Sequence, residues 1–200
     1  MFRIALLLFP FMLWANTLKV GKNEQFKTIK EAVAASKSGD TILVQSGVYK
    51  EGNINITKPL TLLGINRPVL DGEMKYEILS FRANHIFLKG FKIINSGEDE
   101  IENIGAIRLY DSQYSTIENN VFENNYFGVY IQRGFRCLIQ NNKFLSSRST
   151  SQEGIGDGIH AWVSQELWIK NNYIEGHKDG IYLEKVTQTY VYHNYSKNNL

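Results

Sequence analysis

An internal repeat constrains this chain more than any other feature. Gly-Val-Tyr-Ile begins at Gly128, Gly-Ile-His-Ala at Gly158 and Gly-Ile-Tyr-Leu at Gly180, with a weaker copy, Ala-Ile-Arg-Leu, at Ala106. Some ten residues after each comes a second short strand closed by a polar pair: Ile117-Glu-Asn-Asn, Ile139-Gln-Asn-Asn, Ile169-Lys-Asn-Asn and Val191-Tyr-His-Asn. The separations are 22 residues from Ile117 to Ile139, 30 to Ile169 and 22 to Val191. Leu60-Thr-Leu-Leu-Gly64 and Ile86-Phe-Leu-Lys-Gly-Phe91 read as earlier copies of the second strand. Short strands at this spacing, with polar corners and no helices between them, suit a solenoid in which each unit buries its apolar face only against the next. The fold expected is all-β, a right-handed parallel β-helix.

Alternation along a strand assigns the faces. Ile107, Val129, Ile159 and Ile181 form one inward column, and Leu109, Ile131, Ala161 and Leu183 the next. The Asn pairs fall where the chain turns. Asn tolerates a left-handed backbone, and its amide can bond to the amide stacked on it, so the pairs read as a structural ladder with His193 in one of its places. Cys137 is the sole cysteine, which rules out an intramolecular disulfide; two residues before Ile139, it reads as a small buried hydrophobe.

At the start, Thr28-Ile-Lys-Glu31 is a capping box, predicting a short amphipathic helix from Ile29 to Ser36 that closes the open end of the core. No equivalent follows at the other end. The sequence stops at Leu200 in mid-rung, so the expectation is a β-helix domain over 16–200 with the lower cap missing, either a fragment truncated at its C-terminal side or a chain whose last rung a partner covers. Residues 1–15 read as a cleavable signal peptide: Arg3 precedes an eleven-residue apolar run, Ile4 to Trp14, too short to span a bilayer, and Leu13-Trp14-Ala15 offers a cleavage site. In a bacterium the mature protein then lies in the periplasm or beyond and is not itself transmembrane; the competing reading is an uncleaved signal anchor. A net charge of +2 without any Lys/Arg cluster gives no support to nucleic-acid binding.

Chemistry has its best chance on the outward columns: Arg108, Tyr130, His160, Tyr182, and beside them Tyr110, Gln132, Trp162, Glu184. Such an aromatic stripe can bind a sugar, a peptide or a protein through ring faces, or can consist simply of good strand formers. Two long polar insertions, Ser96 to Ile104 and Ser146 to Gly156, lie at the corner before it. In register, Asp157 and Asp179 stack on adjacent rungs, with His177 nearby. They either repel and recruit a cation or each cap the turn before a glycine. No basic cluster in the sequence accompanies these carboxylates. Asn-Thr-Asp, Asp-Asp, Gly-His-Gly and Arg-Ile-Lys, the polygalacturonase-type signature, are absent, so no catalytic residue is named. Of the four histidines only His160 and His177 come near enough by stacking to share a metal ion, and no Met-rich or Cys-rich tract suits copper(I).

Gly-Asp-Gly-Ile-His-Ala-Trp (Gly156 to Trp162) and Gly-His-Lys-Asp-Gly-Ile-Tyr-Leu-Glu (Gly176 to Glu184) resemble the NosD-type maturation proteins of nitrous oxide reductase. Thr28-Ile-Lys-Glu-Ala-Val, Gly39-Asp-Thr-Ile-Leu-Val, Gly47-Val-Tyr and Lys58-Pro-Leu-Thr-Leu-Leu-Gly64 are similar to that family's opening segment and also to other carbohydrate-binding and sugar-hydrolase β-helices. The resemblance implies an accessory protein rather than an enzyme, working with an ABC transporter in the periplasm on the copper–sulfide centres of the reductase, with copper as the implied metal. His160, Trp162, Tyr182, Glu184 and Tyr130 are then a docking or cargo face, flanked by the corner of Asp157, His177 and Asp179. The alternatives left open are a carbohydrate-active enzyme or sugar-binding module and a passive adhesin-like β-helix.

Overall fold

The structure is a computed structural model that describes residues 15–98, 104–147 and 155–200. The chain winds as a right-handed parallel β-helix, and each complete turn lays one strand into each of three parallel sheets. One turn is Phe127–Gln132, Leu138–Gln140 and Lys143–Leu145; the next is Ile159–Trp162, Trp168–Lys170 and Tyr173–Glu175. The sheets have six, eight and seven strands respectively. The six-stranded sheet carries the candidate site.

The inward columns have the register that alternation predicts: Ile107, Val129, Ile159 and Ile181 pair in sequence, as do Leu109, Ile131, Ala161 and Leu183. Most are fully buried in one continuous core, where removing apolar surface from water, at roughly 25 cal/mol per Å², drives the winding. On the last rung Leu183 and Val191 point inward by register and are 40% and 44% exposed, because no described rung packs below them. Cys137 lies in the core, its sulfur 3.2 Å from the Ser112 carbonyl oxygen, and burial pushes its thiol up to about 11. The repeat glycines have a packing cause. A Cβ on Gly128 would sit 2.4 Å from the Gly158 carbonyl oxygen, and one on Gly158 would sit 2.7 Å from that of Gly180.

At the corner after the eight-stranded sheet, Asn119, Asn141, Asn171 and His193 all adopt left-handed φ between 53° and 56°. The residue after each points inward. Asn142 Nδ2 donates to the Ile117 carbonyl at 2.9 Å and to Asn172 Oδ1 at 3.1 Å, while its own Oδ1 accepts from the Asn120 backbone N–H at 2.9 Å. Asn172 repeats this with Asn194.

The third sheet was not anticipated. Its strands, such as Val121–Glu123 and Lys143–Leu145, are two or three residues long, with single inward side chains such as Phe122, Phe144 and Ile174, too few to show a period. The helix runs Ile29–Ala35, with Ser36 as an extended C-cap. Its capping box is formed, and Glu51 accepts from the N–H groups of Ile29 and Lys30 while Lys58 Nζ donates to the carbonyls of Val33 and Ser36. Both helix ends are thus satisfied from the next turn of chain, and Ile29, Ala32 and Val33 are buried against the first strands. The signal peptide expected over 1–15 lies outside the described residues except for Ala15, as do most of the Ser146 to Gly156 insertion and residues 99–103 of the other. Among the described residues no helix is long and apolar enough to cross a membrane.

Candidate functional site

Parallel pairing at a fixed register stacks equal positions of successive rungs, so two outward columns stand side by side: Arg108, Tyr130, His160, Tyr182 and Tyr110, Gln132, Trp162, Glu184. The stripe is assembled as expected, but its rings are not free to serve as platforms. Tyr130 stacks on His160 with centroids 4.6 Å apart, Tyr182 on the next rung lies tilted by 37° at 4.9 Å, and Phe127 meets His160 edge-on at 5.4 Å. Rungs spaced about 4.8 Å apart impose this, since that spacing is close to the stacking distance of aromatic rings. For Tyr130 and His160 both ring faces have neighbours. They present edges and polar atoms. Trp162 packs against the buried cluster of Tyr126, Phe127 and Tyr130, two members of which the sequence reading missed.

His160 is held on a third side. Its Nδ1 lies 2.8 Å from Asp157 Oδ2, and the two side chains are only 13% and 7% exposed. Asp157 Oδ1 accepts the Asp179 backbone N–H at 3.1 Å. Asp157 thus does two things at once: it caps the turn of the following rung and orients the imidazole. This favours the turn-capping alternative for Asp157 over a carboxylate pair recruiting a cation. With Nδ1 engaged, Nε2 is the nitrogen left for chemistry. His160 and Glu184 line two adjoining clefts, one of about 320 Å³ beside Asp157, Asp179 and Tyr182, the other of about 380 Å³ beside Arg108, Tyr130 and Trp162.

His177 lies apart from this face. It is buried at the corner after the third sheet, where Asn125 and Asn199 also sit; its backbone N–H donates to Asn199 Oδ1 at 2.9 Å, and its Nδ1 is 3.3 Å from the Gly156 carbonyl oxygen. It takes a ladder position, as His193 does. Among the described residues no three of His, Cys, Asp and Glu gather as a metal-holding group. Among the described residues the donors do not assemble a copper(I) site: His160 offers one imidazole nitrogen, and burial of Cys137 in the core disfavours its thiolate.

Sequence reasoning also missed a basic group on this face. Arg82 follows the strand Leu79–Phe81, and the pairing of Ser80 with Arg108 and Phe81 with Leu109 carries it to Tyr110, its guanidinium carbon 3.5 Å from the ring centroid. Arg108 lies 4.5 Å from the same centroid, and Glu77 accepts the Tyr110 hydroxyl at 3.1 Å. Extending the register one rung above the weak Ala106 copy would have found them. Burial holds the Glu77 carboxyl above its usual range, against the opposing effects of Ser80, Arg108, Tyr110 and Arg82. Burial likewise raises the Tyr130 phenol, against the pull of Arg108.

Among solved structures, a pectin methylesterase (PemA) from Erwinia chrysanthemi is similar to this chain at 13% identity with a TM-score of 0.39, over 94% of this chain and 91% of that one. A rhamnogalacturonan lyase is similar at 13% identity and a TM-score of 0.39, over 86% and 56%. A probable ABC transporter binding protein NosD from Pseudomonas aeruginosa is 24% identical over 130 residues, which cover 64% of this chain and 30% of that protein. The chain thus matches less than a third of that relative's length. The family model for NosD, the periplasmic copper-binding protein, matches residues 33–200, and the chain belongs to that family.

Proposed function

We propose that this chain is a periplasmic accessory protein for assembling the copper centres of nitrous oxide reductase, working with an ABC transporter as a docking scaffold. The observation that carries the reading is His160: oriented by Asp157, clamped between Tyr130 and Tyr182, and set between two clefts. A side chain immobilised from three sides on a rigid sheet is pre-organised, so little entropy is lost when a partner is bound. The copper is cargo, and its thiolate or thioether ligands come from the protein that docks. Family membership supports the reading, as does the similarity to the Pseudomonas relative, a probable ABC transporter binding protein.

The test is copper-centre assembly in the reductase when this protein carries His160→Ala or Asp179→Ala. We expect assembly to fall at least about tenfold, as for loss of a central contact, while circular dichroism and melting stay close to wild type. Full assembly by a normally folded His160→Ala protein sinks the reading. Binding or turnover of oligosaccharide by the purified protein would favour the carbohydrate alternative.

A further inference from the structure

Charge is spread unevenly along this solenoid. Residues 16–58, which hold the capping helix and the first strands, carry seven lysines against four carboxylates, whereas residues 59–200 carry fourteen cations against sixteen. Lys19, Lys22, Lys27, Lys30 and Lys37 are all exposed. No two are adjacent in sequence, so they read as scattered, but the fold gathers them at one end. Lys19 lies on Thr17–Val20, the outermost strand of its sheet; Phe26 folds back to bridge Val20, and the helix Ile29–Ala35 packs on that strand. Lys27 Nζ donates to the carbonyls of Lys22 and Glu24 at 3.0 and 2.8 Å, which draws it against the loop that carries Lys22.

The carboxylates at this end are turned onto backbone. Glu31 accepts from the N–H groups of Lys27 and Thr28, Asp40 from those of Asn16 and Lys37, and Glu51 from those of Ile29 and Lys30, all at 2.7 to 3.1 Å. Glu24 is the fourth. Asp40 still acts at a distance on Lys37 and Lys58, and Glu31 on Lys27. Lys19, Lys22 and Lys30 have no ion pair with any described residue. Lys58 Nζ bonds the carbonyls of Val33 and Ser36, neutral partners that leave its charge uncancelled. A cleft of about 320 Å³ opens beside the helix, lined by Lys30, Lys58, Asn55 and Thr57 among others.

The residue types point to a diffuse anionic surface. All seven cations are lysines, and the six arginines of residues 59–200 stand elsewhere. A guanidinium fork reads one planar anion, whereas a hydrated ammonium is a point charge that suits a spread-out field. Phe26 and Tyr49 pack against the core, so this end exposes no ring on which a nucleic-acid base could stack. The chain also enters the fold here. Asn16, whose N–H is bonded to Asp40, follows closely on the apolar run Ile4 to Trp14. A membrane-directed segment and the lysines therefore share one end. We propose that this capped end seats on an anionic membrane surface, its lysines meeting phosphate headgroups while the rungs stand away from the bilayer. The proposal does not depend on the docking reading. The strand of His160 lies four strands from Ile54–Ile56, at about 4.8 Å each, so the His160 face is held roughly 20 Å beyond that first strand of its sheet.

The experiment is flotation of the whole protein with phosphatidylcholine vesicles and with vesicles containing about one third phosphatidylglycerol, at about 0.05 M and about 0.5 M salt. Each lysine near an anionic surface is worth about fivefold in affinity. Wild type should bind the anionic vesicles far more tightly at low salt and lose that preference at high salt. Insertion of the apolar run adds equally to both lipids and cancels in the comparison. Lys22→Ala combined with Lys30→Ala should lower the preference about twentyfold. Lys143→Ala combined with Lys170→Ala, the same change of charge on later rungs, should leave it within about twofold. Melting curves check that both double variants fold. Equal binding to the two lipids overturns the proposal, as do equal losses from the two double variants. A capped hexaglutamate peptide that binds with the same salt and lysine dependence while the anionic vesicles do not also overturns it, and assigns this end to an acidic protein.

Discussion

Two ladders climb this solenoid, one inside a corner and one on an outer face, and both come from the same register. Asn120, Asn142, Asn172 and Asn194 stack with their amides bonded to one another and to backbone carbonyls. Tyr130, His160 and Tyr182 follow ring upon ring, the first pair stacked and the second tilted by 37°. In the first ladder the described hydrogen-bonding groups are spent on the fold, and Asn120, Asn142 and Asn172 are buried. In the second the ring faces of Tyr130 and His160 are covered, while His160 and Tyr182 line a cleft. A repeat makes ladders automatically; what separates scaffold from site is whether a rung keeps an unspent polar atom facing outward.

Breaking the inner ladder should cost most. Asn142→Ala removes the donors to Ile117 and Asn172 and strands the buried Asn120 N–H, so we expect a loss of about 3–4 kcal/mol. The check is the urea midpoint at unchanged slope. A loss below about 1 kcal/mol would mean that the amides merely fill space.

The second prediction concerns a buried corner without an amide. Cys137 is raised from 9.0 to about 11 because the core disfavours its thiolate. A group whose folded value is raised contributes stability that is full below the unfolded value and lost as pH climbs through the folded one. Between about pH 9 and pH 11 the wild type should lose up to roughly 2–3 kcal/mol more than Cys137→Ala, at 1.36 kcal/mol per unit. Parallel alkaline melts measure the difference. Equal losses would show that the thiol is not the sensor.

How far the two ladders could be read beforehand follows from their chemistry. The Gly-containing strand copies and the Asn pairs have apolar and turn residues at fixed offsets, so the register, inward columns and outward columns followed from spacing. The third sheet did not, because Phe122, Phe144 and Ile174 each stand alone between polar neighbours. Within the site, Tyr130, His160 and Tyr182 were legible as a column. The Asp157–His160 bond was not: Asp157 lies outside the strand Ile159–Trp162, and strand alternation does not predict its orientation. Arg82 and Glu77 escaped because their rung has neither the Gly of the later copies nor the Ala-Ile-Arg-Leu pattern at Ala106.

The smallest expected effect separates stacking from burial. Lys89, Glu118 and Gln140 form a third rung-bridging series, outward on the eight-stranded sheet, with Lys89 Nζ and Gln140 Nε2 each 2.7 Å from the Glu118 carboxylate. The geometry is as close as in the Asn ladder, but the Lys89 side chain is 43% exposed and the exchange is with water. Lys89→Ala should cost no more than about 0.5 kcal/mol, less in high salt, because Glu118 keeps Gln140 and hydration replaces the ammonium. Denaturation at low and high ionic strength measures it. If that loss approached the cost of Asn142→Ala, rung-to-rung alignment itself would be the source of stability, and burial could no longer be what divides the inner ladder from the outer face.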